Sequence, residues 1–452
     1  MRRAKIVCTM GPSVEAPERV EKLIRAGMNV ARLNLSHGSY EEHQTRLDRV
    51  RQAAISLDHP VAILVDLQGP KIRLGKFEGG PYELARGDRF TITTEDIIGN
   101  AARVSTTYKN LPTDCQKGDR ILIDDGKVAV RVLEVKGTDV ITEVEQPGPV
   151  SNNKGINLPG VFVSVPALSE KDREDLRWGL RAGADLIALS FVRSAADIAD
   201  VHRIMDEEGI RRPVIAKIEK PQAVLNLEEI ISEFDGIMVA RGDLGVEIPI
   251  EEVPLVQKKC VYLAREAAKP VIVATQMLDS MINNSSPTRA EATDCANAVL
   301  DGADALMLSG ETSVGSFPIE AVQTMARIIE RTEEVMLSQI PPLKHNPKTK
   351  GGAITKAAKE IGEIVGAKYL VAFTTTGDSA RRMSRLRSVI PIIAATPEIH
   401  VYNQLALSWG IEPIVAPAVK HTDEMVKQID GIMINTDRAM KDDLIVIVAG
   451  SP

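Results

Sequence analysis

The sequence predicts an α/β protein with a closed (β/α)8 TIM barrel, an inserted small antiparallel β-barrel domain, and a C-terminal open α/β domain. Three observations predict this architecture. Eight short apolar runs rich in β-branched residues alternate with helical patterns, as in parallel βα units. More than a hundred residues separate the third run from the fourth. A second alternation of strands and helices follows a linker rich in proline and lysine.

The eight apolar runs are the predicted barrel strands. In chain order they are "AKIVCTM" (4–10), "MNVARLN" (28–34), "VAILVDL" (61–67), "DLIALSF" (185–191), "PVIAKIE" (213–219), "GIMVARG" (236–242), "PVIVATQ" (270–276) and "DALMLSG" (304–310). Most follow one another at roughly 23 to 35 residues, the size of one βα unit. The count favours a closed barrel, and an open parallel sheet of six strands is the alternative that periodicity leaves open.

The long gap between the third and fourth runs has a different pattern. The segments "RFTITTED" (89–96), "DRILIDDGKVAVRVLEV" (119–135) and "DVITEVEQPG" (139–148) alternate with period two and are separated by turn residues. This pattern is typical of a small antiparallel β domain. We therefore expect a barrel of residues 1–69 and 167–337 that is interrupted by an inserted domain of residues 70–166.

A second α/β domain is predicted for residues 338–452. The linker "IPPLKHNPKTKGG" (340–352) precedes it. Predicted helices at 353–366, 378–388, 399–409 and 422–434 alternate with the strands "YLVAF" (369–373), "PIIAAT" (391–396), "EPIVA" (412–416) and "DLIVIVA" (443–449). Such alternation indicates an open and mainly parallel sheet.

The composition excludes several classes of protein. The formal charge of −7 over 452 residues gives no cationic surface for nucleic acid. The four cysteines are scattered without metal-ligand spacing, so neither a zinc site nor a disulfide framework is expected. No apolar stretch approaches the ~20 residues of a membrane span, and the first run reads as a strand and not as a signal peptide. We expect a cytoplasmic protein with no nucleic-acid or membrane partner.

Polar side chains are concentrated at the predicted C-terminal ends of the barrel strands, where barrel enzymes carry their active sites. They are Arg32, Asn34, Ser36, Asp66, Lys217, Glu219, Arg241, Asp243, Thr275, Ser309 and Glu311, with Gly242 between Arg241 and Asp243. Glu219 and Asp243 are 24 residues apart, one βα unit, so their carboxylates can meet on neighbouring strands. Such a pair suits Mg²⁺, with Mn²⁺ as the alternative ion. Lys217 points to the same face and can neutralise a phosphoryl group, although any single pair, such as one made by Arg241, is equally natural as a structural ion pair.

Two further residues can contact a nucleotide. Neither G-x-G-x-x-G nor a P-loop sequence occurs, so a nucleotide would have to bind at a site of another type. Lys154 beside Gly155 can lie over a phosphate, and it can equally be a solvated turn. His37 in "LSHG" can stack on a base or cap a turn.

Many segments resemble the pyruvate kinase family, and the resemblance covers nearly the whole chain. They are "KIVCTMGPS", "MNVARLNLSHG", "VDLQGPKIRLG", "NNKGINLPG", "ALSEKDREDL", "ALSFVRS", "IAKIEKPQAV", "MVARGDLGVE", "VIVATQMLDSM", "PTRAEATDCANAVLDGADALMLSGET" and "FTTTGDSARRMSRLR". The resemblance implies transfer of the phosphoryl group of phosphoenolpyruvate to ADP, giving pyruvate and ATP.

The resemblance also implies roles for the strand-end residues. It assigns Glu219 and Asp243 to Mg²⁺ and Lys217 to the transition-state cation. It further implies that the Gly242 and Asp243 N–H groups hold the substrate carboxylate, that Arg32 and Arg73 clamp phosphate, and that Thr275 lies near the enolate carbon. Ser309 and Glu311, at the last strand end, complete the expected substrate contacts.

Nucleotide contacts are implied for Asn34, Ser36, His37, Arg73 and Lys154, under an inserted domain that closes as a lid. Asn34, Ser36, Asp66 and the Leu67 carbonyl match the family's monovalent-cation cage. Many members that require K⁺ have Glu at the position of Lys71. We therefore expect Lys71 to act as an internal cation and K⁺ not to be required.

Regulation and assembly are also expected. The loop "TTTGDS" offers Thr374, Thr375, Thr376, Gly377 and Ser379 to a sulfate, phosphate or phosphorylated effector, and a helix cap is the alternative. The resemblance implies a homotetramer. Family members usually continue beyond "VIVAGSP" through a Gly-rich loop and a final strand, and that loop often forms part of the effector site, so the resemblance leaves regulation here open.

Two other functions are compatible with a carboxylate pair on a barrel. One is a Mg²⁺-dependent pyruvate-type aldolase or lyase, which would need no nucleotide lid. The other is a non-catalytic effector-binding protein, which would be marked by loss of Lys217, Glu219 or Asp243, yet all three residues are present.

Overall fold

The computed structural model describes residues 2–419 and 421–449. The chain starts with β1 (Lys5–Thr9), α1 (Pro17–Ala26), β2 (Val30–Asn34), α2 (Tyr40–Ser56) and β3 (Ala62–Asp66). Helix α2 begins where Ser39 and Glu42 form a reciprocal capping box, which satisfies two otherwise unpaired N–H groups. All five residues of β1 and all five of β3 are buried, as expected for strands covered on both faces.

The inserted segment follows β3. It contains β4 (Tyr82–Leu84), β5 (Arg89–Thr93), β6 (Arg103–Ser105), α3 (Leu111–Asp114), β7 (Arg120–Ile123), β8 (Val128–Lys136), β9 (Asp139–Gln146), β10 (Gly148–Val150) and β11 (Ile156–Asn157). Six strands form a sheet in the order β11-β7-β8-β9-β5-β6, and β10 pairs with β4 in a separate ribbon. The sheet surrounds its own apolar core, which includes Phe90, Ile92 and Val130.

The inserted sheet differs in two details from the predicted antiparallel barrel. Strands β5 and β6 are parallel, because the loop between them carries the chain back before β6 begins. The two edges of the sheet are joined by isolated bridges from one segment, in which Arg73 pairs with Gly155 and Leu74 with Thr106. The two edges of the inserted sheet are therefore joined by a short irregular segment and not by a further strand.

The chain then returns to the barrel. The elements are α4 (Glu170–Arg181), β12 (Leu186–Leu189), α5 (Ile198–Glu208), β13 (Val214–Ile218), α6 (Pro221–Leu225), α7 (Leu227–Glu233), β14 (Gly236–Ala240), α8 (Arg241–Glu247), α9 (Val253–Glu266), β15 (Val271–Ala274), α10 (Arg289–Asp301), β16 (Ala305–Leu308), α11 (Gly310–Ser313) and α12 (Pro318–Met336). The strands close in the order β1-β16-β15-β14-β13-β12-β3-β2, all parallel. The prediction of eight barrel strands is confirmed, and the open sheet is excluded.

The C-terminal domain contains α13 (Lys350–Val365), β17 (Tyr369–Phe373), α14 (Asp378–Ser384), β18 (Ile392–Thr396), α15 (Ile399–Gln404), β19 (Ile411–Val415), α16 (Thr422–Asn435) and β20 (Ile445–Val448). Its four strands form a parallel sheet in the order β19-β18-β17-β20, as predicted. Helix α14 ends four residues before its predicted limit at 388. Arg387 has a left-handed φ of 49° and its guanidinium binds the Gly302 carbonyl, so a tertiary contact ends the helix.

The C-terminal domain packs against the N-terminal end of the barrel. Ala406 and Leu407 belong to the apolar cluster inside the barrel, and Trp409 is buried. The backbone N–H of Trp409 donates to the carboxylate of Asp304, which precedes β16. None of the helices in residues 2–419 and 421–449 is long and apolar enough to cross a membrane.

Candidate active site

The carboxyl ends of the parallel strands bring the predicted residues to one rim of the barrel. Asn34 and Asp66 are direct partners across β2 and β3. Lys217 lies in β13, and Glu219 follows that strand by one residue. Asp243 lies in the first turn of α8, directly after the neighbouring strand β14. The rim therefore brings together Asn34 and Asp243, which are 209 positions apart in the sequence.

Lys217 is the centre of a buried ionic network. Its Nζ lies 2.8 Å from Glu219 Oε1 and 3.4 Å from Asp66 Oδ1. It also donates a 2.7 Å hydrogen bond to Ser190 Oγ. The other Asp66 oxygen accepts from Arg32 Nε at 2.7 Å, and Arg32 Nη1 donates to Thr9 Oγ1 at 2.9 Å. The network orients two cations and leaves them bordering the site.

Burial and charge act in opposite directions on this network. Burial lowers the pKa of Lys217, but Asp66, Glu219 and Asp243 outweigh it, and the pKa of the ammonium lies above its usual value. Burial raises the pKa of Asp66, and Lys217 and Arg32 reverse this, so the pKa lies below its usual value. Lys217 and Asp66 are therefore both charged near neutral pH.

The carboxylate pair suits a divalent cation. Glu219 is 1% exposed, and burial together with the charge of Asp243 keeps the pKa of Glu219 above its usual value despite Lys217. A buried carboxylate beside a second carboxylate is stabilised in its charged form by a bound cation, which favours a metal ion. Among residues 2–419 and 421–449, no group of three or more His, Cys, Asp or Glu side chains is placed to hold a metal ion.

The segment after β15 is strained and accepts a hydrogen bond from Gly242 of α8. Thr275 has a φ of 70° and Gln276 a φ of 53°, conformations that β-branched residues in particular rarely adopt. The Gly242 N–H donates to Thr275 Oγ1 at 2.7 Å. Arg241 pairs with Asp294 at 2.7 Å and also donates to the Thr275 carbonyl, so its role here is structural.

Ser309 and Glu311 lie after β16. Glu311 is buried, and its oxygens accept the Ser309 N–H at 2.7 Å and the Leu278 N–H at 3.1 Å. Burial raises the pKa of Glu311 and these hydrogen bonds oppose the rise. Ser309 Oγ is buried and has no partner within the described part of the chain. Glu311 thus stabilises the loop after β16 through backbone hydrogen bonds, and the Ser309 hydroxyl is left without a hydrogen-bond partner in the described residues.

The expected cation cage is partly engaged by protein groups. Asn34 Oδ1 accepts the Ser36 N–H at 3.2 Å, and the Leu67 carbonyl accepts from Ser190 Oγ at 2.7 Å. The Lys71 ammonium forms no ion pair with a carboxylate of the described residues. Burial and Arg73 lower the pKa of Lys71 and Asp243 opposes them, which indicates that the ammonium borders the same electrostatic site. The Lys71 side chain is exposed and lines the open cavity between the inserted domain and the barrel rim.

A cavity of about 520 Å³ separates the inserted domain from the barrel rim. Its polar lining includes His37, Lys71, Arg73, Asp124, Asp125, Lys154, Arg193, Lys220 and Asp243. Cations outnumber carboxylates, which suits a polyphosphate. Lys154 Nζ lies 3.1 Å from Asp124, and Arg73 Nη1 donates to the Asn153 carbonyl at 3.1 Å, so both cations are held on the inserted domain. Burial lowers the pKa of His37, as do the charges of Lys71 and Arg73.

Several residues of the site were not predicted from the sequence. Ser190 follows β12 directly and connects Lys217 to the Leu67 carbonyl, and its position at a strand end was the available signal. The N–H of its neighbour Phe191 donates to Glu219 Oε2 at 2.8 Å from a left-handed conformation with a φ of 55°. No sequence pattern predicts that conformation.

Contacts between the inserted domain and the barrel were also missed. Glu247, at the end of α8, accepts hydrogen bonds from Asn157 at 2.9 Å and from Lys220 at 2.6 Å. Arg193 donates to the carbonyls of Val163 and Val165 in the returning segment. These contacts hold the inserted domain over the rim.

The expected effector loop lies between β17 and α14. The Gly377 N–H donates to Thr374 Oγ1 at 2.8 Å, and Gly377 has a left-handed φ of 82°. Thr376 Oγ1 also accepts the Asp378 N–H at 3.4 Å, so two hydroxyls of the loop stabilise the turn. Thr375 and Thr376 are exposed, and the loop opens toward solvent.

Two family models match the chain, pyruvate kinase barrel domain over residues 1–322 and pyruvate kinase alpha/beta domain over residues 352–452. The pyruvate kinases of Corynebacterium efficiens and Mycobacterium tuberculosis are each 56% identical over 451 residues, covering all of this chain and 95% of theirs. The crystal structure of a pyruvate kinase from Cryptosporidium parvum matches with a TM-score of 0.94 and 39% identity, over 99% of this chain and 94% of that one.

These matches agree with the geometry of the rim, where Lys217, Glu219 and Asp243 are all present, and they give no support to a lyase or a non-catalytic protein. The chain belongs to the pyruvate kinase family, the phosphotransferases that transfer the phosphoryl group of phosphoenolpyruvate to ADP.

Proposed function

We propose that the network around Lys217 is the catalytic centre of this phosphoryl transfer. The observation that carries the proposal is a nearly buried ammonium that lies between Asp66 and Glu219 at the rim of the barrel and has a raised pKa. Phe191 and Asp243 connect this network to the cationic cavity, because both line the cavity and both act on Glu219. Phosphoenolpyruvate is expected at this junction, with the nucleotide above it.

Glu219 and Asp243 would hold Mg²⁺ or Mn²⁺, which when bound neutralises charge on the phosphoryl group and on the enolate oxygen. The burial of Glu219 and the nearby charge of Asp243 support this assignment. Lys217 supplies a fixed positive charge for the transferring group. Arg32 is oriented by Asp66 and Thr9 and presents its remaining nitrogen, Nη2, to a phosphate oxygen.

The Gly242 and Asp243 N–H groups are proposed to bind the substrate carboxylate. In this structure the Gly242 N–H donates to Thr275 Oγ1, so a carboxylate would share or replace that acceptor. Thr275 would thereby contact the substrate and lie near the enolate carbon that receives a proton. The Ser309 hydroxyl, which is buried without a partner in the described residues, is available as a further donor, and Glu311 braces its loop.

Residues 70–166 are proposed to act as a lid over the nucleotide. Arg73 and Lys154 from this domain and Asn34, Ser36 and His37 from the barrel would bind ADP. Arg73 and Lys154 both line the cavity, which supports phosphate binding there. Closure excludes water, which would otherwise compete with ADP as the acceptor.

We further propose that the enzyme does not require K⁺. Lys71 contributes positive charge to the cavity wall, where its field acts on Asp243 and Glu219. Asp66, the carboxylate of the expected cage, already binds Arg32 and Lys217. The positive charge that K⁺ supplies in members with Glu at this position is therefore provided by the protein.

The metal assignment is tested by replacing Asp243 with asparagine. Removing one charged ligand oxygen should raise the Mg²⁺ concentration for half-maximal activity by at least about tenfold, or ~1.4 kcal/mol. Mn²⁺ binding, measured by electron paramagnetic resonance, should weaken in parallel. The exposed Glu251→Gln variant, just beyond the same helix, is the control and should retain the wild-type metal dependence. Unchanged Mn²⁺ affinity in Asp243→Asn would remove Asp243 from the metal site.

A phosphorylated allosteric effector is proposed at residues 374–379. The exposed threonines of this loop and its N–H groups support the assignment, whereas the bond from Gly377 to Thr374 supports the capping alternative. A Thr374→Glu, Ser379→Glu double variant should lose effector binding by at least about tenfold in calorimetry with sugar phosphates and AMP, because it adds two negative charges. A Thr422→Glu, Thr436→Glu variant, with two exposed threonines of the same domain, is the control. Equal binding by both double variants would exclude the loop.

The assembly is proposed to be a homotetramer acting in the cytoplasm. Helix α13 exposes several large apolar side chains, with Ile354 at 55%, Ile361 at 51% and Ile364 at 83%. Apolar side chains at this spacing form one stripe, which is typical of a surface that another subunit covers.

A further inference from the structure

A small cavity lies at the end of the barrel opposite to the active site, where α9, β15 and β16 meet the C-terminal domain. It is lined by Arg265, Ala268, Lys269, Pro270, Asp304, Arg381, Ser384, Arg385, Arg387 and Ser408. Its volume of about 10 Å³ is close to the minimum for one water molecule, so a halide ion, which is larger than water, requires a small outward shift of the lining side chains.

The charges around this cavity do not balance. Four arginines and one lysine line it, and Asp304 is the one carboxylate among the lining residues. Arg265, Arg385 and Arg387 are only 2%, 8% and 7% exposed. Asp304 pairs with Arg387 at 3.0 Å, and its oxygens also accept N–H groups of the backbone. Other carboxylates, such as Asp235 and Glu266, act on some of these cations from outside the lining and offset part of their charge. Within the lining itself positive charge is in excess at a mostly buried place, which is costly without a counter-charge.

Backbone carbonyls satisfy some of the guanidinium N–H groups without neutralising their charge. Arg265 Nη1 donates to the Pro341 carbonyl, Arg385 Nη1 to the Glu266 carbonyl and Arg387 Nη2 to the Gly302 carbonyl. The Nε atoms of all three arginines are buried and have no hydrogen-bond partner within the described residues. Each of these three lining residues thus keeps one unsatisfied N–H donor, although buried donors are normally paired.

Mutual repulsion accompanies this arrangement. Burial lowers the pKa of Arg265 to about 9, and the nearby charge of Arg387 adds to the effect. Even so, the guanidinium remains mostly protonated at neutral pH. A water molecule could accept one of the free hydrogen bonds, but it would leave the excess charge uncompensated. A phosphate or sulfate ion is too large for the cavity.

We propose that this cavity binds one small monovalent anion of the halide type, with chloride as the cellular ion. The anion accepts hydrogen bonds from the arginine side chains and offsets part of their charge. Since Arg265 belongs to the barrel and Arg385 and Arg387 to the C-terminal domain, the anion strengthens the attachment of one domain to the other. Arg381 also donates to the Thr376 carbonyl, so the site adjoins the proposed effector loop.

Crystals of the wild-type protein soaked in sodium bromide provide the direct test. We expect an anomalous bromide peak in the cavity between Arg265, Arg385 and Arg387. Bromide peaks at exposed surface sites serve as the positive control for the soak. Such peaks on the surface together with none in the cavity would overturn the proposal.

A second test measures thermal unfolding at constant ionic strength, with gluconate replaced stepwise by chloride. We expect the wild-type Tm to rise by about 2 °C and to saturate at tens of millimolar chloride. Arg385→Gln should lose most of this increase, because it removes one charge of the cavity. Arg382→Gln is the control, since Arg382 is adjacent on α14 but does not line the cavity, and it should keep the increase.

An equal rise in wild type and Arg385→Gln, or a rise that never saturates, would show a general salt effect and overturn the proposal. If Arg385→Gln fails to fold, the bromide experiment on the wild-type protein still decides.

Discussion

Replacing Lys217 with methionine is expected to lower kcat by at least about a thousandfold, or ~4 kcal/mol of transition-state stabilisation. The ammonium is held 2.8 Å from Glu219 and stays charged, so it acts on the phosphoryl group as charge moves during transfer. An interaction of this kind contributes to kcat more than to substrate binding. Steady-state kinetics, with calorimetry of phosphoenolpyruvate in the presence of Mg²⁺, measure the two effects separately.

The control for this variant is Lys258→Met, an exposed lysine of α9 paired with Asp301, which should retain full activity. Removing Lys217 leaves Asp66 and Glu219 without their shared partner, so the variant is also expected to unfold at lower temperature. Binding and activity are therefore compared below that transition. A folded Lys217→Met enzyme with a normal kcat and a raised KM would contradict the assignment.

The enzyme is expected to keep near-full activity in potassium-free tetramethylammonium buffer, whereas Lys71→Glu should become dependent on K⁺. The substitution changes the local charge by two units beside Asp243 and Glu219. Unit charges ~4 Å apart interact by roughly 4 kcal/mol at an effective dielectric of 20, so such a change can cost about a hundredfold or more in activity. Added K⁺ should restore most of this loss by replacing the missing cation.

Lys76→Glu is the matched control, because Lys76 is an exposed lysine of the same segment that does not line the cavity. It should need no K⁺. Activity of both variants is titrated with K⁺ against tetramethylammonium at constant ionic strength. Loss of wild-type activity without K⁺, with recovery on adding it, would show that Lys71 does not serve as the internal cation.

The barrel, its eight strands and the carboxylate pair could be predicted because each depends on local pattern or spacing. A buried parallel strand is a short β-branched run, and the period between runs reports the βα unit. The distance of one unit between Glu219 and Asp243 is then enough to place them on neighbouring strand ends. Family resemblance added the roles of residues such as Arg73 and Thr275, which spacing could not assign.

Other features depend on segments that meet only in the folded chain. Ser190 reaches both Lys217 and the Leu67 carbonyl because β12 lies between β3 and β13. Arg241 and Asp243 are both charged residues at the same predicted strand end, and the sequence does not show which of them faces the site. In the structure Arg241 pairs with Asp294, 53 residues away. Which charge serves structure and which faces the site is decided by these partners.

The same limit applies to the opposite end of the barrel. The local pattern continues helix α14 to residue 388, but Arg387 leaves it to reach Gly302 and Asp304, 85 and 83 residues away. The sequence by itself determined the periodic elements and the strand-end chemistry, because hydrophobic period and residue spacing are properties of neighbouring residues. Only the tertiary structure decided the strained turns, the ion-pair partners and the arginine-lined cavity, because burial and charge compensation depend on residues brought together by folding.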